Sequence, residues 1–400
     1  MKIEAVGLSR TQLVILLTAM TAIGGLATNI YVPTLPDLAR DLDTTRAMAQ
    51  NTLSSYFAGV AIAQLFYGPM SDKYGRRPIL LGGMILFVAA SVLCALSPSI
   101  EALIWARFAQ AAGACVGQVI VRAVVRDLFD RDETASMMAS IMLAIAIAPA
   151  AAPVLGALIH TYVNWQMNFL VIAVFGLVVL LLSRRYLPET LKPEHRITGS
   201  SSLMAGYGRL LKSPVYMGYT FCSMFIFALL FSFQSTVPFI IIDELGFSEL
   251  EFSLIGMIPV FGFVIGSFSA GRFTPRFGID PMIRIGLGIS VLGGILMVSL
   301  ALLLPLSAMV IMAPMAVIVL GMGMVFPNAS AAAVSVHPEI AGTASALMGF
   351  TQMAGGGLAV TIVASVTKAS HVPLTYSLLA FALAAALSPV VGQLLGRRQA

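Results

Sequence analysis

Long runs of apolar residues are the feature that most constrains what this chain can fold into. A helix that crosses the hydrocarbon core of a membrane needs about 20 mostly apolar residues, and the 400-residue sequence contains twelve such runs. Charged residues make up only 10% of the chain, against about 25% in ordinary soluble domains. We predict an all-α membrane protein whose twelve transmembrane helices lie near residues 12–36, 50–70, 79–97, 102–122, 136–160, 166–183, 215–242, 252–271, 282–304, 306–328, 341–367 and 372–396.

One long polar connection separates the first six predicted helices from the last six. It contains Leu-Pro-Glu-Thr at 187–190, which breaks helices, and Gly-Ser-Ser-Ser at 199–202, which is typical of linkers. We predict an N-terminal six-helix bundle at residues 1–185, a cytoplasmic linker at 186–213 and a C-terminal six-helix bundle at 214–400.

Two loops of similar sequence indicate that the halves are related. Gly-Pro-Met-Ser-Asp-Lys-Tyr-Gly at 68–75 follows the second run, and Gly-Arg-Phe-Thr-Pro-Arg-Phe-Gly at 271–278 follows the eighth. The terminal glycines, a basic residue at the sixth position and an aromatic residue at the seventh coincide. Two pseudo-symmetric six-helix bundles, as in many transporters, explain the repeat. Chance similarity between two short basic loops is the alternative.

The distribution of Lys and Arg predicts the orientation in the membrane. Cytoplasmic loops of membrane proteins carry an excess of these residues. If both termini are cytoplasmic, nineteen of the 23 Lys and Arg residues lie on that side. The first apolar run is too long for a signal peptide, so we interpret it as the first transmembrane helix.

Patterns that would indicate an enzyme or a nucleotide-driven pump are missing from the sequence. The four histidines are scattered, and the three cysteines fall inside apolar runs, so no metal cluster is predicted. No Gly-x-x-x-x-Gly-Lys-[Ser/Thr] nucleotide-binding pattern occurs. We therefore predict no catalytic activity, no metal, no cofactor and no nucleic-acid partner.

Several motifs resemble those of the major facilitator superfamily. Gly-Pro-Met-Ser-Asp-Lys-Tyr-Gly-Arg-Arg-Pro at 68–78 resembles the superfamily's loop motif between spans two and three, and Arg-Phe-Ala-Gln at 107–110 fits its fourth-span motif. Asn-Ile-Tyr-Val-Pro-Thr-Leu-Pro at 29–36 and Arg-Asp-Leu-Phe at 126–129 resemble stretches of the bicyclomycin/chloramphenicol-resistance (Bcr/CflA) and EmrD types. These are twelve-span drug:proton antiporters of bacterial inner membranes, and the resemblance implies the same fold, location and activity here.

The resemblance implies that the loop after span two is a conformational latch, in which charges pair in one conformation and separate in another. The alternative is that its cations only set the orientation. The second loop has Pro275 in place of Asp72, so an asymmetric latch is expected. We call the predicted set the loop latch; its members are Gly68, Asp72, Gly75, Arg76, Arg77 and Asp127.

The fifth span resembles the antiporter motif, with alanines where glycines are usual. Its Pro149, Pro153 and Gly156 predict a thin, kinked helix face that lets two helices pack closely. The resemblance implies that this face seals the transport path against ion leak. Ordinary packing of small residues is the alternative.

Arg107 is the one charged residue that lies away from the ends of a predicted span. A charge there costs about 2.5–3.5 kcal/mol on insertion scales, so it usually faces a wet cavity and marks function. The alternative is that its long side chain reaches the outer interface. Relatives of the Bcr type carry an aspartate where this chain has Asn29. Asn29 cannot titrate, so the proton carrier is not predicted by resemblance, and Asp37, at the end of span one, is our candidate.

We predict that polar and aromatic residues of the spans line a central substrate cavity. The predicted cavity residues are Asn29, Tyr31, Tyr56, Gln64, Arg107, Gln118 and Gln234, with Phe231, Met257 and Asn328 as further candidates. The prediction for function is proton-coupled export of small lipophilic drugs, neutral or weakly acidic, by a monomer that also contacts membrane lipid. A facilitator-type exporter of a metabolite, such as an amino acid or sugar derivative, is the alternative.

Overall fold

A computed structural model of the chain describes residues 9–129, 137, 141, 151–191, 201–367 and 371–399. All regular elements within these residues are helical. Helices α1 to α7 are Arg10–Asn29, Leu35–Asp41, Arg46–Tyr74, Arg76–Ala95, Ile100–Leu128, Ala151–Tyr162 and Gln166–Tyr186. Helices α8 to α15 are Ser201–Leu211, Pro214–Pro238, Glu249–Ile255, Met257–Phe277, Ile279–Leu303, Ala308–Val336, Ala341–Val366 and Val372–Gln399.

The helices have the lengths and compositions that crossing a membrane requires. Ten helical stretches of the described chain are long and apolar enough to span one. One of them, the 29-residue α5, is about 43 Å long at 1.5 Å per residue. Helix α3 is equally long but less apolar and is not one of the ten, and α6 is the described part of the predicted fifth span. The predicted count of twelve is consistent with this architecture, and the all-α membrane fold is confirmed.

Large apolar side chains point outward from the helices. Leu303, Phe268 and Trp105 are 79%, 74% and 72% exposed. Soluble monomers rarely leave such side chains in contact with water over an extended surface, whereas lipid tails cover them at no cost. The chain is therefore a multi-pass integral membrane protein.

The helices form two compact units. The first comprises residues 1–44 and 55–199, and the second comprises residues 45–54 and 200–400. In the first unit α4 packs on α5 and α7, and α1 packs on α5 and α7. In the second unit α13 packs on α11 and α12, and α9 packs on α14 and α15. Small residues permit the closest contacts; a Cβ added to Gly321 of α13 would lie 2.2 Å from the Gly286 carbonyl oxygen of α12.

The predicted linker contains a helix that the sequence analysis did not predict. Residues 199–202 have linker composition, but α8 begins at Ser201 and runs to Leu211. Apolar residues recur at helical spacing over this stretch, and Leu210 is fully buried. Because α8 packs on α9 and α14, tertiary contacts stabilise a helix whose first residues favour a flexible chain.

Candidate functional site

Arg76, the first residue of α4, is at the centre of the loop latch and is buried. Its Nε donates to Asp127 Oδ2 at 3.3 Å, and its Nη1 donates to Ser71 Oγ at 2.7 Å. Nη1 also pairs with Asp72. Both predicted carboxylates of the loop latch therefore contact one guanidinium. A cation that only sets the orientation in the membrane would need no such contacts.

A further carboxylate, Glu189, contacts the loop from the segment that follows α7. Its Oε1 accepts from the Arg76 backbone N–H at 2.9 Å, and its Oε2 accepts from the Arg77 N–H at 3.2 Å. The next residue, Thr190, donates to Asp127 Oδ2 at 3.2 Å. The end of α7 is thus joined to the loop by both backbone and side-chain hydrogen bonds.

The contact of Glu189 with the loop was not predicted from the sequence. Residues 187–190 predict only a helix break, and the amides that the carboxylate contacts lie 113 and 112 residues earlier in the chain. One signal exists in the sequence of α4, whose first turn contains no acidic residue. Its first N–H groups therefore need an acceptor from elsewhere.

The second loop repeats the turn of the first but contacts its neighbouring helix through a neutral hydrogen bond. Gly278 has φ 89°, close to the φ 107° of Gly75, so the two turns share a backbone conformation. Thr274 Oγ1 contacts Asn328 Oδ1 at 3.0 Å, which joins this loop to α13. No carboxylate pairs with Arg276 in the described part of the chain; its guanidinium lies 5.6 Å from the Phe277 ring centre. This geometry agrees with the expected asymmetry between the loops.

Aromatic rings surround the Arg107 guanidinium inside the first unit. Its Cζ lies 4.3 Å from the ring centre of Tyr31, 4.3 Å from that of Tyr56 and 5.6 Å from that of Phe169. These rings come from the turn after α1, from α3 and from α7. The Arg107 side chain is completely buried, so the alternative that it reaches the outer interface is wrong.

Polar contacts complete the surroundings of Arg107. Nη1 donates to the Ala27 carbonyl at 3.0 Å and to Gln110 Oε1 at 2.5 Å, and Gln110 Nε2 donates in turn to Ser91 Oγ at 2.9 Å. Nε and Nη2 have no hydrogen-bond partner among the described residues. Each cation–π contact contributes about 0.5–2 kcal/mol, so three rings offset much of the several kcal/mol that burying a charge costs.

Three other predicted cavity residues meet at the last turns of α1: Asn29 ends this helix, and Tyr56 of α3 and Gln118 of α5 lie beside it. Tyr56 Oη donates to the Gly24 carbonyl at 3.0 Å, and Asn29 Nδ2 donates to the Gly25 carbonyl at 2.8 Å. A Cβ added to Gly24 would lie 2.7 Å from Gln118 Nε2. The structure therefore brings Tyr56, Gln118 and Asn29 close to the helix that also contacts Arg107.

The remaining cavity candidates lie elsewhere. Gln64 Nε2 of α3 is buried and has no hydrogen-bond partner among the described residues. Gln234 and Phe231 lie on α9 of the second unit, where the Phe231 ring packs edge-on against Phe227 at 5.2 Å. Met257 is the first residue of α11. A common cavity formed by both groups stays a prediction.

The fifth predicted span contacts the end of α1 through Gly156. A Cβ at this position would lie 1.6 Å from the Ile30 carbonyl oxygen, so only glycine permits so close an approach. Pro153 lies one turn earlier on α6 and is half-buried. Pro149 lies outside the described residues. The close helix contact that the motif predicts is present at Gly156, and its role as a seal stays a prediction.

Asp37, the candidate proton carrier, lies on α2 beside two basic groups. Its carboxylate contacts Arg40 on the same helix and His160 Nε2 on α6. The Asp37 side chain is 20% exposed. Asp41, one turn later, accepts from Trp165 Nε1 at 2.9 Å, which ties this end of α2 to the start of α7.

Comparison with known proteins decides the family. The family model of the Major Facilitator Superfamily matches residues 17–360. The chain belongs to this superfamily. It is 30% identical to the bicyclomycin resistance protein homolog of Haemophilus influenzae, with 88% of each chain covered. It is 29% identical to multidrug resistance protein D of Escherichia coli, with 87% of each chain covered.

A solved structure supports the same fold. The D-xylose-proton symporter superposes with a TM-score of 0.74 at 16% identity, over 95% of this chain and 96% of the symporter. The predicted resemblance to the major facilitator superfamily is confirmed. Since members of the superfamily and both relatives are transporters, this superfamily protein is a transporter and not an enzyme.

Proposed function

We propose that the chain is a secondary active, proton-coupled exporter of small lipophilic drugs that works by alternating access. The observation that carries the proposal is its similarity, over 88% and 87% of its length, to proteins named for bicyclomycin and multidrug resistance. The contacts around Arg76 support it, because ion pairs between a loop and neighbouring helix ends can form in one conformation and break in another.

The proposal also covers the location of the transporter, its oligomeric state and its partners. The distribution of Lys and Arg supports a location in the bacterial cytoplasmic membrane with both termini in the cytoplasm. We propose a monomer whose partners are drug, protons and membrane lipid. Asp37 is the proposed proton carrier, and the close contact at Gly156 supports α6 as the seal against ion leak.

Preferred substrates are proposed to be neutral or weakly acidic. Arg107 is buried, and no carboxylate forms an ion pair with it in the described part of the chain. Even at an effective dielectric constant of 20, two unit charges 6 Å apart interact by roughly 3 kcal/mol. A cation near this group is therefore repelled, whereas a neutral or weakly acidic amphiphile is not.

A facilitator of a physiological metabolite, such as an amino acid or sugar derivative, has less support. A polar metabolite needs several charged or hydrogen-bonding groups in its binding site. The predicted cavity residues include one charged group, Arg107, and rings enclose it. Neither relative described above is named for a metabolite.

Export is expected to depend on the proton gradient and not on ATP. The test is chloramphenicol uptake by energised inverted vesicles from a host that lacks its other drug exporters. Uptake is expected to stop when an uncoupler collapses ΔpH and the membrane potential, and to continue when ATP is depleted during respiration. Vesicles without the protein give the background. Uptake that survives the loss of both gradients would contradict secondary transport.

The expected substrate charge predicts a change of preference in Asn29→Asp. The substitution adds a titratable carboxylate to the last residue of α1, close to Ala27, whose carbonyl contacts Arg107. Proteoliposomes are given a neutral phenicol or a quaternary dication. The original protein is expected to transport the phenicol well and the dication poorly. In Asn29→Asp, the ratio of the phenicol transport rate to the dication transport rate is expected to fall about tenfold.

Two results would contradict the proposed substrate charge. One is efficient transport of the dication by the original protein. The other is an Arg107→Ala variant that folds and keeps the original substrate range. Expression and thermal unfolding of each variant are compared first, because Arg107 is completely buried and its loss can also destabilise the first unit.

A further inference from the structure

The start of α4 depends on an acceptor that its own sequence does not supply. The first backbone N–H groups of a helix have no partner within the helix, and the side chain of the preceding residue usually accepts from one of them. Here that residue is Gly75, which has no side chain, and the first turn is without an acidic residue. Glu189 supplies both of its carboxylate oxygens instead, at 2.9 and 3.2 Å from the backbone nitrogens of Arg76 and Arg77.

Gly75 makes room for this carboxylate. Its φ of 107° lies in a region that residues with side chains rarely adopt. A Cβ at this position would lie 2.4 Å from Glu189 Oε2, which is closer than non-bonded atoms approach. The backbone conformation and the position of the carboxylate therefore both require glycine here.

The segment that carries Glu189 also holds the partner of Arg76. Thr190 donates to Asp127 Oδ2 at 3.2 Å, and the same oxygen accepts from Arg76 Nε at 3.3 Å. The Leu191 N–H donates to Glu189 Oε1 at 3.0 Å, which holds the carboxylate in place. Two consecutive residues thus fix the backbone of Arg76 and the acid that its side chain contacts.

Glu189 adds a further acid to the charged groups around the loop. The loop brings three cations to this end of the unit, and the predicted loop latch brings two acids, Asp72 and Asp127. Glu189 is the third acid. It lies at the positive end of the α4 dipole, where a negative charge is stabilising, and hydrogen bonds from backbone N–H to a carboxylate are about twice as strong as neutral ones.

We propose that Glu189 is a positioning residue of the loop latch, which caps α4 and so sets where Arg76 meets Asp127. Residues 187–191, the start of the connection between the halves, then change conformation together with the loop latch. The inference rests on the proposed function, because it deepens the part that the loop latch plays in alternating access. Glu189 acts on the rate of the conformational change, through Arg76, and leaves drug affinity unaltered.

Glu189→Gln in the full-length protein tests the inference. Glutamine keeps the size of the side chain but replaces one accepting oxygen by an NH2 group, which only donates. The matched control is Glu101→Gln, which changes an exposed glutamate in the first turn of α5. Three quantities are measured: hydrogen exchange at the Arg76 and Arg77 amides, chloramphenicol affinity in detergent, and the maximum rate of proton-driven chloramphenicol transport in proteoliposomes.

For Glu189→Gln we expect amide exchange to rise about tenfold and the maximum rate to fall about tenfold, as the loss of one charge-assisted hydrogen bond predicts. The chloramphenicol Kd is expected to stay within about twofold, and Glu101→Gln to change nothing by more than about twofold. A double variant with Asp127→Asn is expected to be about as slow as Asp127→Asn alone, because both substitutions act on one contact.

Unchanged amide exchange in Glu189→Gln would overturn the inference, since Glu189 would then not cap α4. A normal maximum rate despite faster exchange would overturn it too, because the cap would be structural only. If the two substitutions lowered the maximum rate independently, so that their effects multiplied in the double variant, the inference would also be overturned, because Glu189 and Asp127 would then not act on one contact. Failure of the proposed function is seen separately, as absent chloramphenicol transport by the original protein, and the exchange measurement does not depend on transport.

Discussion

Asp127→Asn is expected to lower the maximum rate of drug export about tenfold or more while the protein stays in the membrane in normal amount. Asp127 Oδ2 accepts from Arg76 and Thr190, and Arg76 is buried. Breaking a fully buried ion pair costs about 3–5 kcal/mol; the cost is smaller here because the Asp127 side chain is 19% exposed. The measurement is chloramphenicol uptake in inverted vesicles, normalised to the amount of protein.

Two further substitutions sharpen this prediction. Asp72→Asn is expected to slow turnover as well, by a smaller factor, because the Asp72 side chain is 33% exposed. Thr274→Val removes the neutral contact of the second loop and is expected to change the rate by less than about threefold. Near-normal export by Asp127→Asn and Asp72→Asn at normal abundance would contradict the loop latch.

Gly156→Ala is expected to destabilise the protein by about 2–3 kcal/mol, the upper part of the range for overpacking. The added Cβ would lie 1.6 Å from the Ile30 carbonyl oxygen, and backbone atoms cannot move aside as a flexible side chain can. The substitution therefore pushes α6 away from the end of α1. We expect a melting temperature several degrees lower in detergent and, if α6 is a seal, a faster passive proton leak in proteoliposomes.

Gly25→Ala is the matched control for Gly156→Ala. Gly25 lies on α1, one turn before the contact with α6, and a Cβ there meets no atom within 4 Å. Alanine also favours helix formation over glycine by up to about 1 kcal/mol, so this variant is expected to be at least as stable as the original. Equal melting temperatures and equal leak rates for the two variants would show that the contact at Gly156 is unimportant.

The membrane fold could be predicted from sequence because lipid leaves a chain few choices. A run of about 20 apolar residues must form a helix that satisfies its own backbone, so each run predicts one element. Helix α8 could not be predicted in this way, because it is not a long apolar run. It is 11 residues long and starts in a Ser-rich stretch, and packing on α9 and α14 decides that it is helical.

Contacts in the candidate site could be predicted only where both residues of a contact belong to recognised motifs. Arg76, Asp72 and Asp127 were expected to meet because resemblance places them in one loop and at a neighbouring helix end. Glu189 was not, because its contact joins residues 113 positions apart. No local pattern records such a pairing, and only the packing of α4 beside α7 brings the two together.

Arg107 illustrates the same limit. The sequence predicts a charge inside a span, and the resemblance implies an acid as its partner. Asn29 at the expected position leaves that partner unexplained. In the structure the rings of Tyr31, Tyr56 and Phe169 surround the guanidinium. The chain contains 23 Phe and 10 Tyr residues, so sequence alone does not show which of them face a charge.

We propose that this transporter exchanges drug for protons, and a measurement of the proton movement that drug movement causes tests that exchange. Proteoliposomes of the purified protein are loaded with chloramphenicol and a fluorescent pH indicator, then diluted into drug-free buffer of equal pH, with potassium and valinomycin to clamp the membrane potential. We predict that the lumen acidifies as drug leaves, and that Asp127→Asn slows the change about tenfold or more. A constant lumenal pH during protein-dependent release of the drug would rule out the exchange of drug for protons.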